Sequence, residues 1–132
     1  MLVTVPMETK VAETRVALTP RGARTLIDDG HEVWVQRGAG QGSAFSDAEY
    51  EAAGARPVDV TEAWSGDLVL KVKEPTPDEF PWLTDNTLFT FLHLAANEPL
   101  ARALIGKSVG DSVEVVTPRG SKSYEIVKIR FV

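Results

Sequence analysis

Two stretches, Asp67 to Val72 (DLVLKV) and Thr87 to Leu92 (TLFTFL), set the tightest limit on the fold. Each is apolar on successive rather than alternate positions. A strand of that kind needs cover on both faces, which is the condition of a parallel sheet lying between helices. The segments before them fit the same scheme. Val3 to Pro6 (VTVP) reads as a short first strand, and Thr19 starts a helix with Pro20 in its first turn and Gly30 past its end. Leu18, Ala23, Leu26 and Ile27 of that segment are expected to face the core. Glu32 to Val35 (EVWV) is the second strand, and Ser46 with Glu49 forms a capping box for a helix from about Asp47 to Ala53, ended by Gly54. RPVDV, from Arg56 to Val60, is a weaker third strand. Thr61 is expected to cap a short helix containing Trp64, and Thr76, Pro77 and Glu79 repeat the cap pattern before Trp82 and Leu83. Asn97 is expected to cap a helix to about Ile105, with Gly106 ending it.

After Gly106 the alternation stops. VGDSVEVVTP and SKSYEIVKIRFV are strand-like segments joined by a turn at Pro118 to Ser121, a β-hairpin in which Val127, Ile129 and Phe131 alternate with Lys128 and Arg130. The expected fold is therefore α/β: a mainly parallel, Rossmann-like sheet with helices on both faces, ending in a β-hairpin. Residues 1–105 would form the main domain and 106–132 the hairpin, packed on it. A chain of 132 residues with 43% hydrophobic content supports one compact core.

Composition narrows the function. No cysteine occurs, so disulfides and thiolate metal sites are out, and no metal-ligand spacing is present. MLVTVPMETK lacks the basic start and apolar run of a signal peptide, and no stretch matches a membrane span, so a soluble cytoplasmic protein without membrane contact is expected. Residues 1–96 carry 8 Lys or Arg against 15 Asp or Glu, and residues 97–132 carry 6 against 4. The acidic part argues against nonspecific nucleic-acid binding, and the change of sign hints at two origins.

In an open parallel sheet the ligand belongs at the carboxyl ends of the strands. Four side chains are weighed there. Arg15 could grip a carboxylate through two parallel hydrogen bonds, or it is a surface arginine paired with Glu13. Lys71 and Lys73 of KVKEP share a strand face by alternation and cannot both be buried without anionic partners. Either one of them reaches a ligand or Glu74, or both extend to solvent at the edge. His93 closes the second apolar run, where it could exchange a proton or donate to a carbonyl oxygen; the other reading is a satisfied core histidine. His31, at a helix-to-strand turn, is read as structural. GAGQG at Gly38 to Gly42 lacks the third glycine of a dinucleotide fingerprint, because position 43 is Ser43, and its helix starts too late. A permissive glycine turn accounts for it better.

PMETKVAETRVALTP, GHEVWVQRGAGQGSAFSDAEYEAAGA, DLVLKVKEP and TLFTFLHLAAN together resemble the amino-terminal substrate domain of alanine dehydrogenases over about residues 1–105. The resemblance implies that Arg15 and Lys73 bind the carboxylate and carbonyl region of pyruvate or L-alanine, that His93 polarises or protonates the keto oxygen as hydride arrives, and that the cofactor is NAD, its reduced form giving the hydride. It also implies a homo-oligomer. The family's NAD domain does not follow within these residues, so this chain by itself is expected to bind no cofactor and to be no more than a substrate-binding part. Residues 99–132 instead resemble the end of GreA and GreB transcript cleavage factors, without the acidic coiled coil that performs cleavage. That second resemblance implies a chimera joined in a shared helix and an RNA polymerase contact through the tail, or a chimera with no activity.

Overall fold

The computed structural model describes residues 1–91, 103–104, 106–117 and 120–127. The chain divides into two compact units, Met1–Leu92 and His93–Val132. The first unit holds a five-stranded sheet of β1 (Leu2–Val5), β2 (Glu32–Gln36), β3 (Arg56–Val58), β4 (Leu68–Lys73) and β5 (Thr87–Phe91). Its order is β3-β2-β1-β4-β5 and all its pairings are parallel.

The helices are α1 (Pro20–Asp28), α2 (Asp47–Ala52) and α3 (Val60–Ala63). The chain steps outward from β1 through α1, β2 and α2 to β3, then returns through α3 to place β4 on the other side of β1. Right-handed crossovers put α1 and α2 on one face, and the reversal of direction puts α3 on the opposite one. The core under α1 and α2 follows from this: Val3, Val5, Val33 and Val35 from β1 and β2 meet Ala23 of α1 and Tyr50 of α2. Each fully buried branched side chain contributes roughly 1.5–3 kcal/mol. Tyr50 keeps its polar end satisfied by donating its hydroxyl to the Leu18 carbonyl at 2.6 Å.

Helix starts are built largely as the sequence implied. Thr19 Oγ1 accepts the Gly22 N–H at 3.1 Å with Pro20 next to it, and Ser46 and Glu49 form a reciprocal box. Two expectations need correcting. The cap of α3 is Asp59, not Thr61: Asp59 Oδ1 accepts from the Glu62 N–H at 3.0 Å, and the Glu62 side chain accepts from the Asp59 N–H. The strand expected to be covered on both faces is, over Thr87–Phe91, the edge of the sheet among the described residues, and Phe89 and Phe91 are 65% and 69% exposed. The Thr76 to Glu79 pattern does form, with the Glu79 carboxylate accepting the Thr76 N–H at 2.8 Å, but it leads into a single 3-10 turn at Phe80–Trp82.

In the second unit β6 (Ser112–Thr117) and β7 (Gly120–Glu125) pair antiparallel, with Thr117 opposite Gly120. The helix expected after Asn97 starts outside the described residues. So does the alternation of residues 128–131. Among the described residues no helix is long and apolar enough to cross a membrane.

Candidate functional site

The strand order reverses direction between β1 and β4, and the carboxyl ends of these two strands flank the crevice where ligands bind in open α/β sheets. Two segments meet there: the long loop from Pro6 to Thr19 after β1, and the end of β4 with its following turn.

Glu8 joins them. β1 pairs with β4 only at Val3 with Leu68 and Thr4 with Val69. Further along β4, the Glu8 carboxylate takes the place of strand, accepting the Val72 N–H at 2.7 Å and the Lys73 N–H at 3.3 Å. On its other side β4 shifts register against β5 between Leu70 and Lys73. Lys71 is buried, its side chain 1% exposed, with its Nζ 3.0 Å from Glu79 and 3.4 Å from Glu8 and 5.5 Å from the centre of the Trp64 ring. It is the lysine that demanded anionic partners, and it found two. Glu74 receives the Lys10 ammonium.

Arg15 is bonded to Glu13 as the sequence allowed. Its Nε donates to Glu13 Oε1 at 2.7 Å and its Nη2 to Oε2 at 2.6 Å, and its backbone N–H adds a bond at 3.0 Å. The Glu13 side chain is 6% exposed while that of Arg15 is 64% exposed. The two charged hydrogen bonds hold the Glu13 carboxyl down from its ordinary 4.5 to about 2, against the opposing effect of burial, and Glu13 in turn raises the guanidinium. Lys73 Nζ lies 4.0 Å from Glu13 Oε2. Arg15 and Lys73, from different segments, thus converge on one carboxylate.

Next to this cluster an open groove of about 350 Å³ is lined by Arg15, Val16, Ala17, Thr19, Ser43 and Phe45 on one side and by Leu70, Lys71, Val72, Phe89 and Phe91 on the other. Arg15 and Lys71 are its cations, and Lys73 is not part of its wall. His93 lies outside the described residues. His31 stands at the opposite end of the sheet, 3.5 Å from the Met1 amino group.

The GAGQG turn has a different task from holding a dinucleotide. A Cβ on Gly40 would meet the Phe45 carbonyl and the Tyr50 ring at 2.8 Å, and one on Gly42 would lie 2.5 Å from the Thr14 carbonyl oxygen. Ser43 Oγ also donates to Thr14 O at 3.0 Å. These glycines are consumed by protein packing, and the segment passes into a 3-10 turn at Gln41–Ser43, not a helix N-terminus. This turn therefore does not offer the open glycine loop and helix N-terminus that a dinucleotide pyrophosphate needs. What the turn does is brace Thr14, and with it the backbone next to Arg15. Sequence reasoning missed that role, and also missed Glu8, whose partners are more than sixty residues away.

Comparison with known proteins agrees with this architecture. The family model for the alanine dehydrogenase/PNT N-terminal domain matches residues 4–124. The chain belongs to that family. It is 54% identical over 108 residues to the alanine dehydrogenase of Halomonas elongata, covering 80% of this chain and 29% of that protein. Against the Bacillus subtilis alanine dehydrogenase the identity is 49% over 111 residues, covering 83% of this chain and 29% of that one. A solved L-alanine dehydrogenase superposes with a TM-score of 0.72 at 46% identity, over 76% of this chain and 28% of that one. A transhydrogenase from Sinorhizobium meliloti shares the fold, with a TM-score of 0.64 at 23% identity over 92% of this chain and 47% of that one. The chain spans less than a third of the length of the alanine dehydrogenases it matches.

Proposed function

We propose that this chain is the substrate-binding part of an alanine dehydrogenase, one that seats the carboxylate of pyruvate or L-alanine between Arg15 and Lys73. The observation that carries this reading is the convergence of those two cations on the Glu13 carboxylate at the switch point of the sheet. An arrangement that holds one carboxylate in a two-pronged grip suits another of the same size. His93, next along the chain after β5, is assigned to the keto oxygen, where a donor stabilises the charge that develops as hydride is delivered. That hydride would come from NADH, and no seat for the cofactor is proposed on this chain. The chain alone is thus expected to bind substrate without turning it over. The same reading carries a cytoplasmic location and a homo-oligomer, the latter open to sedimentation analysis.

Titrating the isotopically labelled chain with pyruvate tests the site. Amide shifts concentrated around Arg15 and Lys73, reduced in Arg15→Ala, Lys73→Ala and His93→Ala, are the expected result. Shifts unaffected by all three substitutions would refute the assignment. NADH-dependent amination of pyruvate by the purified chain would refute the claim that it is inactive by itself.

The β6–β7 hairpin keeps a second reading in view, a chimeric tail that contacts RNA polymerase as transcript cleavage factors do. The family match running to residue 124 favours the first reading. Retention of polymerase by the full chain, lost on deleting residues 106–132, would favour the second.

A further inference from the structure

The two oxygens of Glu13 occupy the Nε and Nη2 donors of Arg15, the edge of the guanidinium best suited to a parallel two-bond grip on a carboxylate. The same carboxylate lies 4.0 Å from Lys73. Both cations assigned to the ligand therefore already face an anion, and it comes from the protein. The exposures make the arrangement more pointed: the carboxylate is buried and the arginine that covers it reaches water. The surrounding cations are matched as well, Lys71 by Glu8 and Glu79 and Lys10 by Glu74. A second carboxylate placed beside Glu13 would meet like charge at short range in a partly desolvated setting.

Glu13 is also delivered by an exposed turn with a residue in the left-handed region. The turn is closed by the Glu13 N–H donating to the Lys10 carbonyl at 3.1 Å, Val11 is fully exposed, and Ala12 sits at φ 63°, a left-handed conformation that costs an alanine free energy. Release of this turn would relieve Ala12 while withdrawing Glu13.

We propose that Glu13 is an internal competitor for the substrate carboxylate: it holds Arg15 in the free protein and gives up that guanidinium edge when ligand binds. The inference rests on the reading of Arg15 and Lys73 as the carboxylate seat, and it makes ligand affinity a difference between two carboxylates contending for one arginine. No covalent step is involved. The low Glu13 pKa of the free protein belongs to the Arg15-bound state, so displacement should return the group toward its ordinary value.

The test uses the full chain, pyruvate as the probe, and Glu13→Gln, which keeps the side-chain shape but cannot offer two anionic oxygens. Loss of a charge-assisted competitor should tighten pyruvate binding about tenfold. Equal or weaker binding by the variant, with pyruvate still bound by the wild type, would show that Glu13 supports the site instead of competing for it, and would leave the site reading intact. The second measurement needs no variant. In wild-type protein labelled at the arginine nitrogens and glutamate carboxyl carbons, saturation with pyruvate should move the Arg15 Nε and Glu13 carboxyl resonances together. Saturation that leaves the Glu13 carboxyl signal in place would mean that ligand takes the outer edge of the guanidinium, and the proposal fails. Pyruvate binding to neither protein would overturn the carboxylate seat itself, and the competitor with it.

Discussion

Two parts of the first unit are equally closed to water and are held together by opposite means. Beneath α1 and α2, Val3, Val5, Val33, Val35 and Tyr50 are buried with hardly a polar atom among them. At the carboxyl end of β4, the side chains of Lys71, Glu8 and Glu79 are closely buried too, and they are tied to one another and to the backbone by ion pairs and charged hydrogen bonds. Apolar burial is favourable as it stands. Burial of charge is unfavourable until partners offset the lost hydration, and hydrophobic side chains of similar volume often do as well or better. The difference teaches that the β4 end is not arranged for stability alone. It fixes a strand end whose next lysine, Lys73, belongs to the proposed ligand seat.

The sharpest way to break this contrast is Lys71→Met. It strands two buried carboxylates, and the expected loss is about 3–5 kcal/mol in urea unfolding. Adding Glu8→Gln and Glu79→Gln to it should recover part of that loss. Val35→Ala, a cut into the apolar core, is expected to cost less, about 2 kcal/mol. If the order were reversed, with Lys71→Met the milder change, the ionic cluster would have to be wetter than its burial indicates.

Gly42→Ala joins the two parts of the argument, because its effect should appear in both stability and binding. The added Cβ lies 2.5 Å from the Thr14 carbonyl, backbone that has to shift, at an expected cost of about 1–2 kcal/mol. That shift reaches the neighbouring Arg15. Pyruvate affinity measured well inside the folded range should therefore fall too. A variant equally destabilised by Val35→Ala should bind as the wild type does.

Much of this architecture was legible in the sequence because it is specified locally. The Ser46 and Glu49 box, the Thr19-Pro20 start and the Arg15 pairing with Glu13 all lie within a few residues, and each formed. The cap of α3 was legible too, since Asp59 and Glu62 carry the box spacing, but Thr61 offered a competing cap residue. The place of β5 at the sheet edge was not, because hydrophobic periodicity reports which residues avoid water and not which strand ends the order. Nor were the partners of Lys71. Alternation showed that buried lysines would need carboxylates; that Glu8 would be one of them depended on a pairing across the sheet that no local pattern encodes.

The contrast extends to the Glu13–Arg15 pair beside the ionic cluster, which should respond to pH at the opposite end of the scale from the valine core. Glu13 has its pKa lowered in the folded protein to about 2, so its contribution to stability is present above the ordinary 4.5 and is lost as pH falls through about 2. Tyr50, the titrating side chain among the buried residues of the valine core, is pushed up to about 12 by burial, with Glu49 and Asp47 adding to the effect. Its contribution is complete below the ordinary 10 and is lost as pH rises through about 12. Melting temperatures followed from pH 2 to 5 should thus fall less steeply for Glu13→Gln than for wild type, while Tyr50→Phe leaves that limb unchanged. From pH 9 upward the roles should exchange, with Tyr50→Phe flattening the decline and Glu13→Gln leaving it alone. If Glu13→Gln instead altered the alkaline limb, the Arg15 pair and the core would be one cooperative unit, and treating them as separate ways of closing out water would be mistaken.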